Sequence, residues 1–501
     1  MSHSPKPNHP SRRKFIVGSL LAGGYAALAK SARALEGSAS LSPSPLPAAP
    51  ADYTLRIGVS LIELAPDHIV STITYNGQFP GPLLRLKEGQ PVTVDVHNDT
   101  DTPEQLHWHG QFVPVDVDGA AEEGTPYIPA RGTRRITFTP GPAGLRFYHT
   151  HIAARNDLTR GLYNGQAGPV YIEPKREPGD YDREVFLVLK EFDPVFSRGG
   201  DMAQDFLAGK EVAGLKKTGE TSMQSSLAKG MPHGYEVSYG AFSINGRKLG
   251  HGEPIRVRPN ERILFHVLNA SAGEIRSLAL PGHTFKVVAL DGNPVPLPGE
   301  VPVLWLGTAE RVSAIVEMKH PGVWVLGDLS DDDRKNGMGV VIEYASRKGK
   351  AQWKTPAPFH WDYTLFGKTD ANTTPPDNVI EMTFANQNAA ANGFNLWTIN
   401  NVPFSMKTNT PKLQLSRGQR YRLRMRNASD DIHPVHLHRN SFELTKIAGR
   451  KTRGVMKDVV MLGGYQELEV DFVADQAGLN LFHCHQQLHM DYGFMTLFDV
   501  V

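Results

Sequence analysis

The chain has a single cysteine, Cys484, in 501 residues. An internal disulfide is therefore excluded, and the thiol is either an inert buried group or a functional one. An excess of charge is missing as well. Its 53 Lys and Arg against 52 Asp and Glu leave a formal +1, which offers no footprint for nucleic acid or another polyanion. Methionine is sparse, 13 in all, and Met202, Met223 and Met231 are too thinly spread to make a path for a soft metal ion. The amino-terminal apolar stretch, Val17 to Ala29, falls short of the about 20 residues that a membrane span needs and is broken by Gly18, Gly23 and Gly24.

That stretch follows Ser11-Arg12-Arg13-Lys14-Phe15-Ile16 and precedes Ala32-Arg33-Ala34. Paired arginines, a short apolar region and a small-x-small site resemble a twin-arginine export signal, with cleavage expected near Ala34. The expected location is periplasmic or secreted, with the twin-arginine export machinery as a partner. A Ser/Pro/Ala-rich tether from Ser38 to Pro50 follows.

Beyond the tether, 48 Gly and 37 Pro punctuate short runs rich in Val, Leu, Ile, Phe and Thr, the pattern of an all-β chain. Three segments repeat one theme: Tyr75-Asn76-Gly77 through Val92-Thr93-Val94 to Asn98, Ile244-Asn245-Gly246 through Ile263-Leu264-Phe265 to Asn269, and Ile399-Asn400-Asn401 through Tyr421-Arg422-Leu423 to Asn427. A turn signal and an alternating strand recurring at this spacing predict three related domains, as the length does at roughly 150 residues each. Linkers are expected at Pro174 to Gly179 and Ser346 to Pro358. Greek-key β-sandwiches suit such domains, with alternating strands at Thr133 to Thr139 and Glu467 to Phe472. The polar stretch from Arg198 to Gly234 breaks the pattern and reads as a surface insertion, either beside a substrate opening or without a function.

Ten of the 20 histidines fall in four clusters: His107-Trp108-His109, His149-Thr150-His151, His433-Pro434-Val435-His436-Leu437-His438, and His483-Cys484-His485 with His489. One His-x-His pair is weak evidence; four in one chain are not. In a strand, residues i and i+2 point the same way, about 7 Å apart, so each pair can give one imidazole to each of two neighbouring metals. Parity sends Cys484 to the opposite face from His483 and His485, and separates His433 from His436 and His438. A second metal would then have Cys484, His433 and His489, and a trigonal two-His, one-Cys site is the signature of blue copper. A zinc site with such ligands would be isolated and would leave eight further histidines unexplained. His251, His266 and His283 stand alone and read as core or turn residues.

The four clusters in this order, ending in His483-Cys484-His485-Gln486-Gln487-Leu488-His489, resemble the multicopper oxidase family from about Tyr53 to Val501. The resemblance implies three consecutive cupredoxin-like Greek-key β-sandwich domains, at 52–174, 178–345 and 359–501, after an export signal over 1–34 and a tether over 35–51. It implies four copper ions. Type 1 copper would take His433, Cys484 and His489, with Phe494 in the axial position and so no axial ligand; Met495 competes for that position. Type 2 copper would take His107 and His436. One type 3 copper would take His109, His149 and His485, the other His151, His438 and His483, so the trinuclear cluster is expected between the first and third domains.

By the same resemblance, single electrons pass from a donor through Cys484 to its flanking histidines, over on the order of 10 Å, and O2 is reduced to water at the cluster. Protons for that step point to Asp118, in Val117-Asp118-Gly119, in preference to the alternative of a turn aspartate beside glycine. Bacterial relatives carry Glu directly after the last histidine; this chain has Met490 there, which leaves Asp491 as the candidate second acid, at opposite strand parity. The expected donors are phenols and aromatic amines, as in laccases. The alternatives are oxidation of Cu(I) or Fe(II), which Asp430 and Asp431 beside His433 would attract, although such a pair is more often a solvated turn, and a copper carrier without activity on the same fold.

Overall fold

Each of the three predicted turns has both central residues at positive φ: Asn76 and Gly77 at 54° and 72°, Asn245 and Gly246 at 54° and 74°, Asn400 and Asn401 at 52° and 63°. That is a type I′ turn, whose twist suits a hairpin and which Asn and Gly enter at least cost. The Asn side chains repeat the same bonds as well. Asn76 accepts from the Arg56 amide and donates to the Thr54 carbonyl; Asn245 does so with Val188 and Phe186, and Asn400 with Thr383 and Glu381. Asn98, Asn269 and Asn427 each accept from the amide two residues on and donate to carbonyls of the following loops.

The computed structural model describes residues 49–176, 179–197, 207–228, 233–369, 374–447 and 449–501. The export-signal residues, most of the tether, Met202, Met231 and part of the first expected linker lie outside them. Within Ala51–Val501, six sheets pair into three sandwiches. In each, a long first strand runs antiparallel to its hairpin partner and parallel to a later strand: Tyr53–Ala65 beside Val92–Asn98, Arg183–Ser197 beside Arg262–Asn269, and Asn378–Ala391 beside Arg420–Asn427. These are cupredoxin-like Greek-key sandwiches, and the chain is all-β, with four α-helices among the described residues, three of them of only four or five residues. Alternation is visible along Arg420–Asn427, where every second residue is buried.

One apolar core fills the first sandwich around Trp108 and Tyr148, and a larger one runs through the second and third. Within the polar insertion, Ala213–Ala228 forms a helix held to the third sandwich by Leu215, packed with Ala428 and Tyr465. No helix among the described residues is long and apolar enough to cross a membrane. The lone histidines behave as core or turn residues: His266 bonds Ser313, His283 bonds Tyr344 and the Pro281 carbonyl, and His251 is an exposed turn residue.

Candidate metal centres

Strand pairing brings the clusters together. In the first sandwich, His107–His109 lies antiparallel to Gly144–His149 with His107 opposite His149. In the third, His433–Leu437 lies against Gly478–Cys484 with His436 opposite His483 and Val435 opposite Cys484. All ten histidines and Cys484 are buried. The i, i+2 ring pairs stand 4.9 to 6.2 Å apart, closer than an ideal strand would hold them.

One group is Cys484, His433 and His489. The thiol sulfur lies 3.7 Å from His433 Nδ1 and 3.6 Å from His489 Nδ1, and the two nitrogens are 3.2 Å apart. A triangle of that size has its centre about 2 Å from each corner, the length of a transition-metal bond to nitrogen or sulfur. The Ser429 hydroxyl donates to Asn427 and so accepts from His433 Nε2–H at 2.9 Å, which leaves the His433 Nδ1 lone pair turned inward. Burial holds the His433 pKa down at about 3 and that of His489 well below its usual value, so both rings are neutral ligands. Burial also pushes the Cys484 thiol up, and a metal cation is the group that would convert it to thiolate. Phe494 packs its ring 4.8 Å from His433, whereas Met495 turns away to Leu481, Met490 and Leu497. The last strand starts at Met495, one residue after Phe494.

The other eight imidazoles meet between the first and third sandwiches. His109, His149 and His485 form one set within coordinating reach, and His151, His438 and His483 another. Hydrogen bonds dictate which nitrogen each presents. The Nδ1–H groups of His107, His149, His436 and His483 donate to the carbonyls of Asp118, Thr150, Asp458 and Cys484, at 2.7 to 2.9 Å, and His438 Nδ1–H donates to Asp118 Oδ2 at 2.8 Å. Each therefore turns an Nε2 lone pair inward. His438 and His483 bring two such lone pairs to 3.0 Å, which is repulsive unless a cation lies between them. His107 Nε2, His436 Nε2 and both nitrogens of His485 have no hydrogen-bond partner among the described residues. Burial is the first cause that lowers the pKa of His109, His149, His436, His438, His483 and His485, which keeps these rings neutral. The donor set fits copper.

Carboxylates surround this set. Asp118 closes the short helix Val115–Asp118 and touches His107 and His438. Glu122 Oε2 stands 3.4 Å from His151 Nδ1, and Glu123 Oε1 3.5 Å from His438 Nδ1; burial first, then repulsion from Asp118, raises the Glu123 pKa well above the carboxylate range. Neither glutamate is marked in the sequence, because a Glu pair before Gly124 has no spacing that links it to residues in distant parts of the chain. Asp458, which touches His109, was missed for the same reason. Asp491 lies in a helix, Gln487–Asp491, so strand parity does not apply to it. Its carboxylate accepts from the Ala154 and Arg155 amides and from Gln487, and burial pushes its pKa up to about 6.

A cavity of about 490 Å³ opens onto His489. Its wall includes Tyr163 from the first sandwich, Glu236, Glu274 and Trp305 from the second, and Asp431 from the third. Asp431 is buried there and is not the solvated turn residue its sequence context suggests. Burial raises the Glu236 pKa well above the carboxylate range, with Asp431 and Asp430 adding repulsion, and raises Glu274 to about 7.

Three family models, each described as multicopper oxidase, match residues 59–177, 216–345 and 373–501. Multicopper oxidase MmcO of Mycobacterium tuberculosis (strain ATCC 25618 / H37Rv) is 30% identical over 444 residues, covering 86% of this chain and 84% of that protein. The crystal structure of Fet3p, described as a multicopper oxidase that functions in iron import, superposes with a TM-score of 0.71 at 18% identity, over 89% of this chain and 90% of that one. The laccase from Botrytis aclada does so with a TM-score of 0.65 at 19% identity, over 89% of this chain and 87% of that one.

Proposed function

Because the chain belongs to the multicopper oxidase family, we propose that it couples one-electron oxidation of phenolic or aromatic amine donors to reduction of O2 to water, as laccases do. We assign four coppers: type 1 to His433, Cys484 and His489 without an axial ligand at Phe494, type 2 to His107 and His436, and the type 3 pair to His109, His149, His485 and to His151, His438, His483. Copper in these positions supplies electron uptake from the donor at Cys484 and oxygen reduction among the eight histidines. The domain limits 52–174, 178–345 and 359–501, and export on the twin-arginine motif, belong to the same proposal.

The observation that carries this reading is the position of Cys484 between His483 and His485. Its sulfur serves one ligand set, its neighbours serve two others, and its carbonyl accepts from His483 Nδ1–H at 2.9 Å. An electron that enters through the thiolate therefore has a covalent path and a hydrogen-bonded path to the second centre. His489 lines the cavity, so a donor meets the edge of a ligand while the sulfur stays buried. Asp118 accepts the proton of His438 Nδ1–H on its carboxylate and that of His107 Nδ1–H on its carbonyl, which holds both rings and puts an acid where oxygen is reduced. Asp491 is the second acid in this assignment; an unchanged pH profile of oxygen turnover in Asp491→Asn would remove it.

The purified protein should contain four coppers per chain, show an intense blue absorption, and consume O2 with a substituted phenol. A chain that binds copper and consumes no O2 with any donor would be a carrier. The carboxylates Glu236, Glu274 and Asp431 support a second reading, oxidation of a cationic donor such as Fe(II) or Cu(I). Phenol turnover that appears only on addition of such an ion would favour it.

A further inference from the structure

We infer that Asp458 is the positioning residue that forces two copper ligands of the cluster into opposite tautomers and ties them to a charged contact among all three sandwiches, an inference that rests on the copper assignment above. His107 and His109 leave one short strand in the same direction, yet His107 presents Nε2 and His109 presents Nδ1. The difference is made by Asp458. Its Oδ1 accepts from His109 Nε2–H at 3.1 Å, which turns the His109 Nδ1 lone pair towards His149 Nε2, 3.3 Å away. Its main-chain carbonyl accepts from His436 Nδ1–H at 2.7 Å, which leaves His436 Nε2 as the ligand atom. The two rings it fixes are stacked on one another, 3.8 Å between centroids and 14° between planes.

The carboxylate is itself held by charge. Arg311, from the second sandwich, donates Nη1–H to Oδ1 at 2.7 Å and Nη2–H to Oδ2 at 2.6 Å, a two-pronged pair. Arg146, from the first sandwich, adds Nη1–H to Oδ2 at 3.1 Å. Next to them Lys457 pairs with Asp291 at 2.9 Å and Glu310 at 3.0 Å, and Asp291 accepts the amides of Asp458 and Val459. Three acids and three bases thus meet where the sandwiches join, all buried and balanced in sign. A buried charge that loses its partner is strongly unfavourable, so a neutral group at 458 would release both arginines and the His109 ring together. Main-chain contact to His436 would persist but from a displaced strand.

The test is Asp458→Asn in the full chain, loaded with copper. The blue absorption depends on His433, Cys484 and His489, none of which touches Asp458, and reports that the variant is folded. The expected result is a retained blue band with about 10–100-fold weaker hold on the cluster coppers against a chelator. The electron paramagnetic resonance of the histidine-bound mononuclear copper, distinguishable from the thiolate-bound one by its hyperfine splitting, should change shape or vanish. If Asp458→Asn yields no blue protein, Arg311→Lys decides: it keeps the charge but cannot make the two-pronged pair, and should show the same change in smaller measure. Wild-type copper retention and wild-type resonance in either folded variant would overturn the inference. Absence of copper from the wild-type protein would instead overturn the proposed function.

Discussion

At the scale of single residues, Phe494 and Glu274 would both act on the donor side of the electron path, one against His433 and the other in the cavity beside His489. Phe494 packs against His433 and offers no lone pair, and a copper held there without an axial ligand would have a raised potential. Phe494→Met should lower its midpoint potential by about 60 mV, a tenfold change in the one-electron equilibrium. Redox titration of the blue band checks this, and an unchanged potential would return the axial position to another residue. Glu274 would act on the donor itself, from the cavity wall beside His489. Its carboxyl titrates at about 7, raised chiefly by desolvation, so it is anionic above that pH and neutral below it. The KM of a cationic donor should rise by roughly fivefold as pH falls through 7, the effect of about 1 kcal/mol from one partly exposed charge. The KM of a neutral phenol should stay flat. Steady-state kinetics on Glu274→Gln would show no inflection for either donor; a persisting one would clear Glu274 of the role.

At the scale of elements, the turn at Gly119 decides whether the acid reaches the cluster. Gly119 has φ +95°, and a Cβ there would lie 1.9 Å from the Leu106 carbonyl oxygen. Gly119→Ala must therefore push the Val115–Asp118 helix away from His107. Oxygen turnover should fall by at least about tenfold, the scale of losing an orienting partner, while the blue absorption persists; full turnover in that variant would show that Asp118 does not need its present position. What could be read from the sequence here was periodic. Parity alone sent Cys484 and its two neighbours to opposite faces, because Gly478–Cys484 is a regular strand, and the Asn turns announced their own geometry. Asp491 defeated parity because its segment is helical. Glu123 and Asp458 were silent because their partners, His438 and His109, are brought to them by the packing of one sandwich on another.

At the scale of the whole molecule, three sandwiches were legible as three repeats, but what joins them was not. The His109, His149, His485 set and the His151, His438, His483 set each draw on both terminal sandwiches, so copper held in them would clasp the two together as well as serve as cofactor. Removing it with a chelator should lower the melting temperature by several degrees, since a ligand present at 100 times its Kd adds about 2.7 kcal/mol. Scanning calorimetry of loaded and stripped protein measures it. Coincident melts would mean that the ion-pair contact around Asp458 already holds the sandwiches closed without metal.

The middle sandwich repeats the Asn turn of its neighbours and the parallel pairing of its first strand with a later one, and holds none of the residues proposed as copper ligands. It does contribute Glu236, Glu274 and Trp305 to the cavity beside His489. The cavity wall thus draws on the middle repeat, from which none of the eight cluster histidines comes. Substitutions at Glu236, Glu274 or Trp305 would therefore reshape the wall a reductant meets while leaving the residues around the oxygen-reducing cluster as they are.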